Sequence, residues 1–262
     1  MFALSSANLW FVLSGFVTGC LVGMTGVGGG SLMTPLLVLV FGIEPSVAVG
    51  TDLIYASVTK TAGTAVHGFG HTIEWRIVGL LAIGSLPTAV VTLFLFAWFG
   101  PNTAAANRLI TDILSVMLLL TALVLILRRQ IVRQYSRHFV AISPEIRRQI
   151  TIVVGIMLGV LVPLSSVGAG ALGATALILL YPNLPMARIV GSDIAHAVPL
   201  TLAAGFGHIF LGLTNFGILV FLLSGSIPGI VLGSYAAPRV PDAVLRFLLA
   251  GTLLFAGGRL AL

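Results

Sequence analysis

The sequence predicts an all-helical, polytopic membrane protein of about ten spanning segments, built as two inverted five-segment repeats with broken helices. Three observations carry that expectation. Of 262 residues, 58% are hydrophobic and only 8% charged, with a mean hydropathy of +1.14, so the chain lacks the polar surface a soluble domain of this size must show water. Apolar runs recur from Leu9 to Leu262 with brief polar punctuation, and they are continuous rather than alternating, which argues for helices and against a β-barrel. Finally, Gly50 to Pro87 aligns without gaps on Gly191 to Pro228 at a constant offset of 141.

In chain order the apolar segments run roughly 9–24, 27–43, 46–68, 76–99 and 108–127, then 150–164, 168–182, 188–211, 214–236 and 243–261. Residues 1–127 are read as a first transmembrane repeat, 128–149 as a cytoplasmic basic linker, and 150–262 as a second repeat. The linker carries Arg128, Arg129, Arg133, Arg137, Arg147 and Arg148, so the positive-inside rule places it in the cytoplasm. That anchor puts Arg76, Arg188, Arg239 and Arg246 inside too, leaving Arg108 and Arg259 outside and Lys60 within a span. Both termini are then expected outside. Met1 to Asn8 has no Lys or Arg, so the first apolar stretch is expected as mature helix rather than a cleavable signal.

The internal match pairs Gly50 with Gly191, Asp52 with Asp193, His67 with His208, Ser85 with Ser226 and Pro87 with Pro228. Upstream, at an offset of 140, Val27 to Leu32 meets Val167 to Leu172. Five spans per half is an odd number, so the second copy must enter the membrane with opposite orientation. Inverted repeats place a substrate site near the midplane where the halves meet.

Several function classes are excluded or weakened. The net charge of +6 is spread over loops beside apolar segments, where topology explains it, and no basic patch interleaved with aromatics suggests nucleic acid. No Cys/His group has metal-ligand spacing, no cofactor motif is present, and the single Cys20 can form no internal disulfide. No ATP-binding motif is found.

The glycine-rich stretches Gly23 to Gly30 and Val167 to Gly173 each interrupt an apolar pattern and precede a short helical run. Glycine lets the backbone unwind, and the half-helix that follows presents free N–H groups and a positive dipole end, which suit an anion. Substrate binding is accordingly assigned to Gly28, Gly29, Gly30 and Ser31 in the first half and Ser166, Gly168, Ala169 and Gly170 in the second. Thr51 and Ser192, which open the next segment of each half, are included with them. Close helix packing through small residues is the alternative reading of both stretches. Asp52 and Asp193 are either helix N-caps or proton or ligand sites, since a carboxylate in hydrocarbon must face protein or water. Lys60 and His67, seven residues apart, nearly share a helix face with Asp52, and Asp193, Thr201 and His208 repeat that stripe. Asp52, His67, Asp193, His208 and Lys60 are therefore candidate proton or polar coupling groups, with Lys60 an anion counter-charge or a partner for Asp52. Pro87 and Pro228 are expected to kink their helices, with a hinge as the alternative.

At these residues the sequence resembles the TauE/SafE-type sulfite exporters, a family of bacterial membrane permeases. The resemblance rests on Thr25-Gly26-Val27-Gly28-Gly29-Gly30 leading to Pro35-Leu36-Leu37, Val49-Gly50-Thr51-Asp52, Ser165-Ser166-Val167-Gly168-Ala169-Gly170, and Val190-Gly191-Ser192-Asp193 followed by His208. It implies an inner-membrane secondary transporter exporting sulfite or a related organosulfur anion, driven by an ion gradient. Its partners would be the small sulfur-containing anion and the lipid bilayer, with a homo-oligomer left open. Thr175 stands where the first half has Pro35, a departure from strict symmetry. A passive anion channel is one alternative; an intramembrane hydrolase using Ser165 or Ser166 with His208 is another.

Overall fold

The computed structural model describes residues 6–25, 30–69, 71–101, 103–140, 142–236 and 242–261. Among them are ten helices and no strand: α1 (Ser6–Thr25), α2 (Gly30–Leu39), α3 (Pro45–Phe69), α4 (Trp75–Trp98), α5 (Ala104–Val140), α6 (Pro144–Ser165), α7 (Ala171–Leu180), α8 (Met186–Phe210), α9 (Phe216–Ala236) and α10 (Asp242–Ala261). α5 does not stop where its apolar run ends. Nothing from Arg128 to Val140 breaks a helix, so the basic stretch continues α5 to Val140, and Ser143-Pro144 opens the next helix. There Ser143 caps α6, accepting from the Ile146 amide at 3.4 Å, with Pro144 in the first turn and Glu145 complementing the dipole.

Six of these helices, α4, α5, α6, α8, α9 and α10, contain stretches long and apolar enough to cross a bilayer. α2 and α7 do not. At ten residues each they are about 15 Å long, half of a ~30 Å hydrocarbon core, so the apolar segments at 27–43 and 168–182 are not each a full span. Instead they fold back. The Phe11 ring on α1 stacks on Phe41, just past α2, with centroids 4.3 Å apart. Likewise Thr151 of α6 bonds the Tyr181 hydroxyl, just past α7, at 2.9 Å. α6–α7 is thus a helical hairpin whose turn lies ~20 Å below its open end.

The distribution of side chains is inverted relative to a soluble protein. Leu9, Trp10, Val17, Val90, Phe94, Leu95, Val220 and Phe247 are exposed, whereas Thr34, Asp52, Lys60, Ser85, Asp193, His196, Thr201, His208 and Ser226 are buried. An apolar exterior of this extent is stable only against hydrocarbon, so the molecule is a multi-pass membrane protein.

Glycine sets the closest approaches. A side chain at Gly15 or Gly19 of α1 would strike the carbonyls of Leu222 or Ser226 on α9, and one at Gly225, Gly229 or Gly233 would strike those of Val12, Phe16 or Cys20. α4 and α6 meet the same way, with Gly155 and Gly159 against the carbonyls of Leu81 and Ser85, and Gly84 against that of Ile152. Lacking a hydrophobic force between helices in lipid, such contacts gain their stability from backbone proximity. α3 packs on α8 at the centre and α5 on α10. α2 lies on α3 as α7 lies on α8, and α3 touches α9 as α8 touches α4.

Candidate functional site

The second glycine break can be followed residue by residue. α6 carries Pro163 within its last turn and ends at Ser165, followed by its cap Ser166, whose φ of 56° lies in the left-handed region. Gly168 and Gly170 then take φ of 119° and 143°, values that side chains with a Cβ rarely adopt. α7 starts immediately. Its first amides, of Ala171 and Leu172, donate to no backbone carbonyl among the described residues, while Gly173 bonds the Gly168 carbonyl at 3.1 Å and Ala174 that of Gly170 at 2.8 Å. Ser165 to Gly170 are all buried, so this unwound segment is enclosed by protein.

Three charged groups converge on it from α3 and α8. Lys60, 4% exposed, donates from Nζ to the Ala169 carbonyl at 2.8 Å, joining the first half of the chain to the break of the second. Asp52, fully buried, accepts at Oδ2 from the Thr34 amide at 3.2 Å and from the Thr34 hydroxyl, while the Ser166 side chain approaches from the break. Asp193, 2% exposed, points Oδ1 at the α7 backbone so closely that a side chain at Gly173 would collide with it. Lys60 closes no ion pair with either aspartate among the described residues. Both carboxylates instead keep one oxygen, Oδ1, without a hydrogen bond. Neither is an N-cap, since Asp52 and Asp193 lie well inside α3 and α8.

Thr51 and Ser192 point elsewhere. The Thr51 hydroxyl accepts from the Asn215 amide at 3.0 Å, and Ser192 Oγ accepts from the Glu74 amide at 2.8 Å. Asn215 follows α8 and Glu74 precedes α4, so each bond ties the start of one central helix to the far end of the other, and α3 and α8 run antiparallel. Glu74 also pairs with Arg188 at 2.5 Å. His208 lies apart from the charged trio, its Nε2 donating to the Pro163 carbonyl at 2.9 Å. That carbonyl belongs to the last turn of α6, where no helical donor follows, so His208 acts as a C-terminal cap. Thr201 bonds the Ala197 carbonyl of its own helix at 2.8 Å. Gly28 and Gly29 lie outside the described residues; Gly30 and Ser31 open α2, and His67 belongs to α3, with no described side chain for Ser31 or His67.

Two residues that sequence reasoning missed stand one turn beyond the aspartates. Tyr55 donates to Ser226 Oγ at 2.8 Å, and His196 Nε2 bonds Ser85 Oγ at 2.8 Å. Tyr55 and His196 are related by the same offset of 141 that relates Ser85 and Ser226. The signal was present, but a tyrosine aligned with a histidine does not register as a match.

A lipid-facing exterior around a buried, charged break between central helices is the organisation of a membrane transporter. The chain belongs to the sulfite exporter TauE/SafE family, whose model matches residues 11–260. It is 40% identical over 250 residues to the probable membrane transporter protein YjnA of Bacillus subtilis (strain 168), covering 95% of this chain and 98% of that one. It is 26% identical over 250 residues to the probable membrane transporter protein YdhB of the same organism, covering 94% and 97%. To the probable membrane transporter protein MJ0441 of Methanocaldococcus jannaschii it is 24% identical over 258 residues, covering 92% and 91%. No solved structure matches the chain.

Proposed function

We propose that this protein is a secondary transporter that exports sulfite or a related sulfonate across the bacterial inner membrane, coupled to an ion gradient, with the anion seated at the second glycine break. One observation carries the reading: the Lys60 ammonium and the unbonded amides of Ala171 and Leu172 come from different halves of the chain and converge on one buried turn. A positive side chain and a helix N-terminus together recognise a small oxyanion without a metal or cofactor. The sulfite assignment comes from the family. Thr51 and Ser192 contribute by holding the central helices in register, Asp52 and Asp193 are the groups through which an ion is coupled, and His67 and His208 complete the polar stripe.

The inverted-repeat reading gains support from pairs that exchange under the offset of 141. Thr51 with Asn215 becomes Ser192 with Glu74, and Tyr55 with Ser226 becomes His196 with Ser85. Antiparallel α3 and α8 accord with halves of opposite orientation, as does the arginine distribution that puts both termini outside. Division at 1–127, 128–149 and 150–262 fits the same scheme, with much of the linker a cytoplasmic extension of α5.

The test is saturable uptake and counterflow in proteoliposomes offered sulfite, sulfonates or sulfate. Lys60→Met is expected to reduce sulfite flux to the protein-free background while the protein still inserts and stays monodisperse. Wild-type flux in that variant removes the break as the anion site, and flux that never saturates identifies a channel instead.

A further inference from the structure

The break joins two helix ends of opposite sign. α7 begins there, and α6 finishes there, so the negative end of the α6 dipole meets the positive end of α7 across five residues. Among the described residues, the carbonyls of Leu164 and Ser165 accept no backbone hydrogen bond. An anion suits the α7 end. The α6 end calls for a cation.

Side chains gathered at the α6 end are all oxygen donors. Ser166 Oγ, on a residue 4% exposed, and Oδ1 of the fully buried Asp52 make no well-aligned hydrogen bond, and the only polar side chain each approaches among the described residues is the other. Asp52 Oδ2 is satisfied by two donors of Thr34, which fixes the carboxylate with Oδ1 turned away from α2. Asp52 also lacks a close counter-charge. Lys60 closes no ion pair with it among the described residues, and the Lys60 ammonium is committed to the Ala169 carbonyl. A buried carboxylate left this way either costs stability or binds a cation.

Resting on the transport reading of the same site, we propose that Asp52 Oδ1 and Ser166 Oγ are ligands of a single sodium ion held between the two halves, and that this sodium is the coupling ion. Hard oxygen ligands and one uncompensated negative charge select a monovalent alkali cation over a divalent or transition metal. The coupling follows from Coulomb's law. Without the cation, Asp52 repels an anion at the Ala171 and Leu172 amides a few residues along the break, and neutralising it removes that barrier. Unwound backbone beside half-helix ends is also where sodium-coupled carriers hold their ions.

The experiment measures binding of radiolabelled sodium to the purified full-length protein in detergent, with no anion present. Saturable binding is expected, displaced by unlabelled sodium and not by choline. Ser166→Ala and Asp52→Asn should each weaken it by roughly tenfold or more, while Ser224→Ala, at an exposed position on α9, leaves it unchanged. Circular dichroism and elution volume check each variant, and Ser166→Ala carries the test if Asp52→Asn does not fold. Absent saturable binding, or variants that bind as wild type does, overturn the proposal. So does sulfite uptake that follows a pH gradient and ignores sodium, which assigns coupling to protons. Sodium binding without any sulfite uptake leaves the cation site standing and removes the anion reading instead.

Discussion

At the scale of single residues, several buried polar groups each answer a specific backbone or side-chain need. His208 shows this most simply. Its ring spans from α8 to the carbonyl of Pro163, a group the end of α6 leaves without a helical donor. Replacing His208 by Leu removes the donor and strands a buried carbonyl, at a cost of about 1–2 kcal/mol. The expected readout is a lower melting temperature in detergent, partly restored in His208→Gln, whose amide N–H still reaches an acceptor. Equal melting of the Leu and wild-type proteins contradicts the capping role. Asp52, Lys60 and Asp193 were legible in the sequence as intramembrane charges, because any ionisable residue inside an apolar run stands out. Their partners were not legible. Thr34, 18 residues from Asp52, is an ordinary residue until folding brings it to a charge, and Ala169, although expected at the second break, lies 109 residues from Lys60 with nothing in the sequence to pair the two.

Among elements, the helix pairs α1–α9 and α4–α6 depend on glycines that admit a neighbouring backbone. Two glycines on α4 separate the packing effect from helix propensity. A side chain at Gly84 would meet the backbone of Ile152 and Ile156, whereas Gly79 has nothing within 4 Å of the same position. Gly84→Ala should therefore destabilise by roughly 1–3 kcal/mol through overpacking. Gly79→Ala should be neutral or stabilising by up to ~1 kcal/mol, since Ala is the better helix former. Thermal unfolding of the two variants side by side checks this, and equal losses would refute the close-approach argument. The sequence already suggested that the glycine-rich stretches were either breaks or packing stripes. In the second stretch Gly168 and Gly170 take left-handed dihedrals, while Gly155 and Gly159, upstream of it, sit within a regular helix. Composition cannot separate them, because the same missing Cβ serves both purposes.

For the molecule as a whole, the central helices α3 and α8 are fastened at each end by one hydroxyl-to-amide bond. Among the described residues, only the end bearing Glu74 and Ser192 has an added ion pair, Glu74 with Arg188. Half-exposed pairs of this kind contribute up to about 1 kcal/mol, enough to bias two access states by a few-fold. In a Cys20→Ala background carrying Ser166→Cys, Glu74→Gln should raise labelling of the introduced thiol by an impermeant reagent applied from the arginine-rich side. A rise of roughly two- to five-fold is expected, with no gain from the opposite side. Labelling unchanged from both sides would show that this fastening does not govern access.

Hydropathy and the absence of alternating patterns are properties of the linear chain, so residence in a membrane and an all-helical fold were determined by sequence alone, as was the internal match at an offset of 141. Helix lengths within the hairpins were not, because a break and a full span look alike in apolar residues until backbone dihedrals are set; α2 and α7 proved half as long as a bilayer requires. Tertiary structure also decided which charges share a site. Lys60 lies on the second break and His208 on the α6 terminus, although the spacing placed both on equivalent helical stripes. A stripe fixes the direction a side chain points along its own helix. What it meets there depends on the neighbouring helix, and that neighbour is chosen by packing across the whole chain.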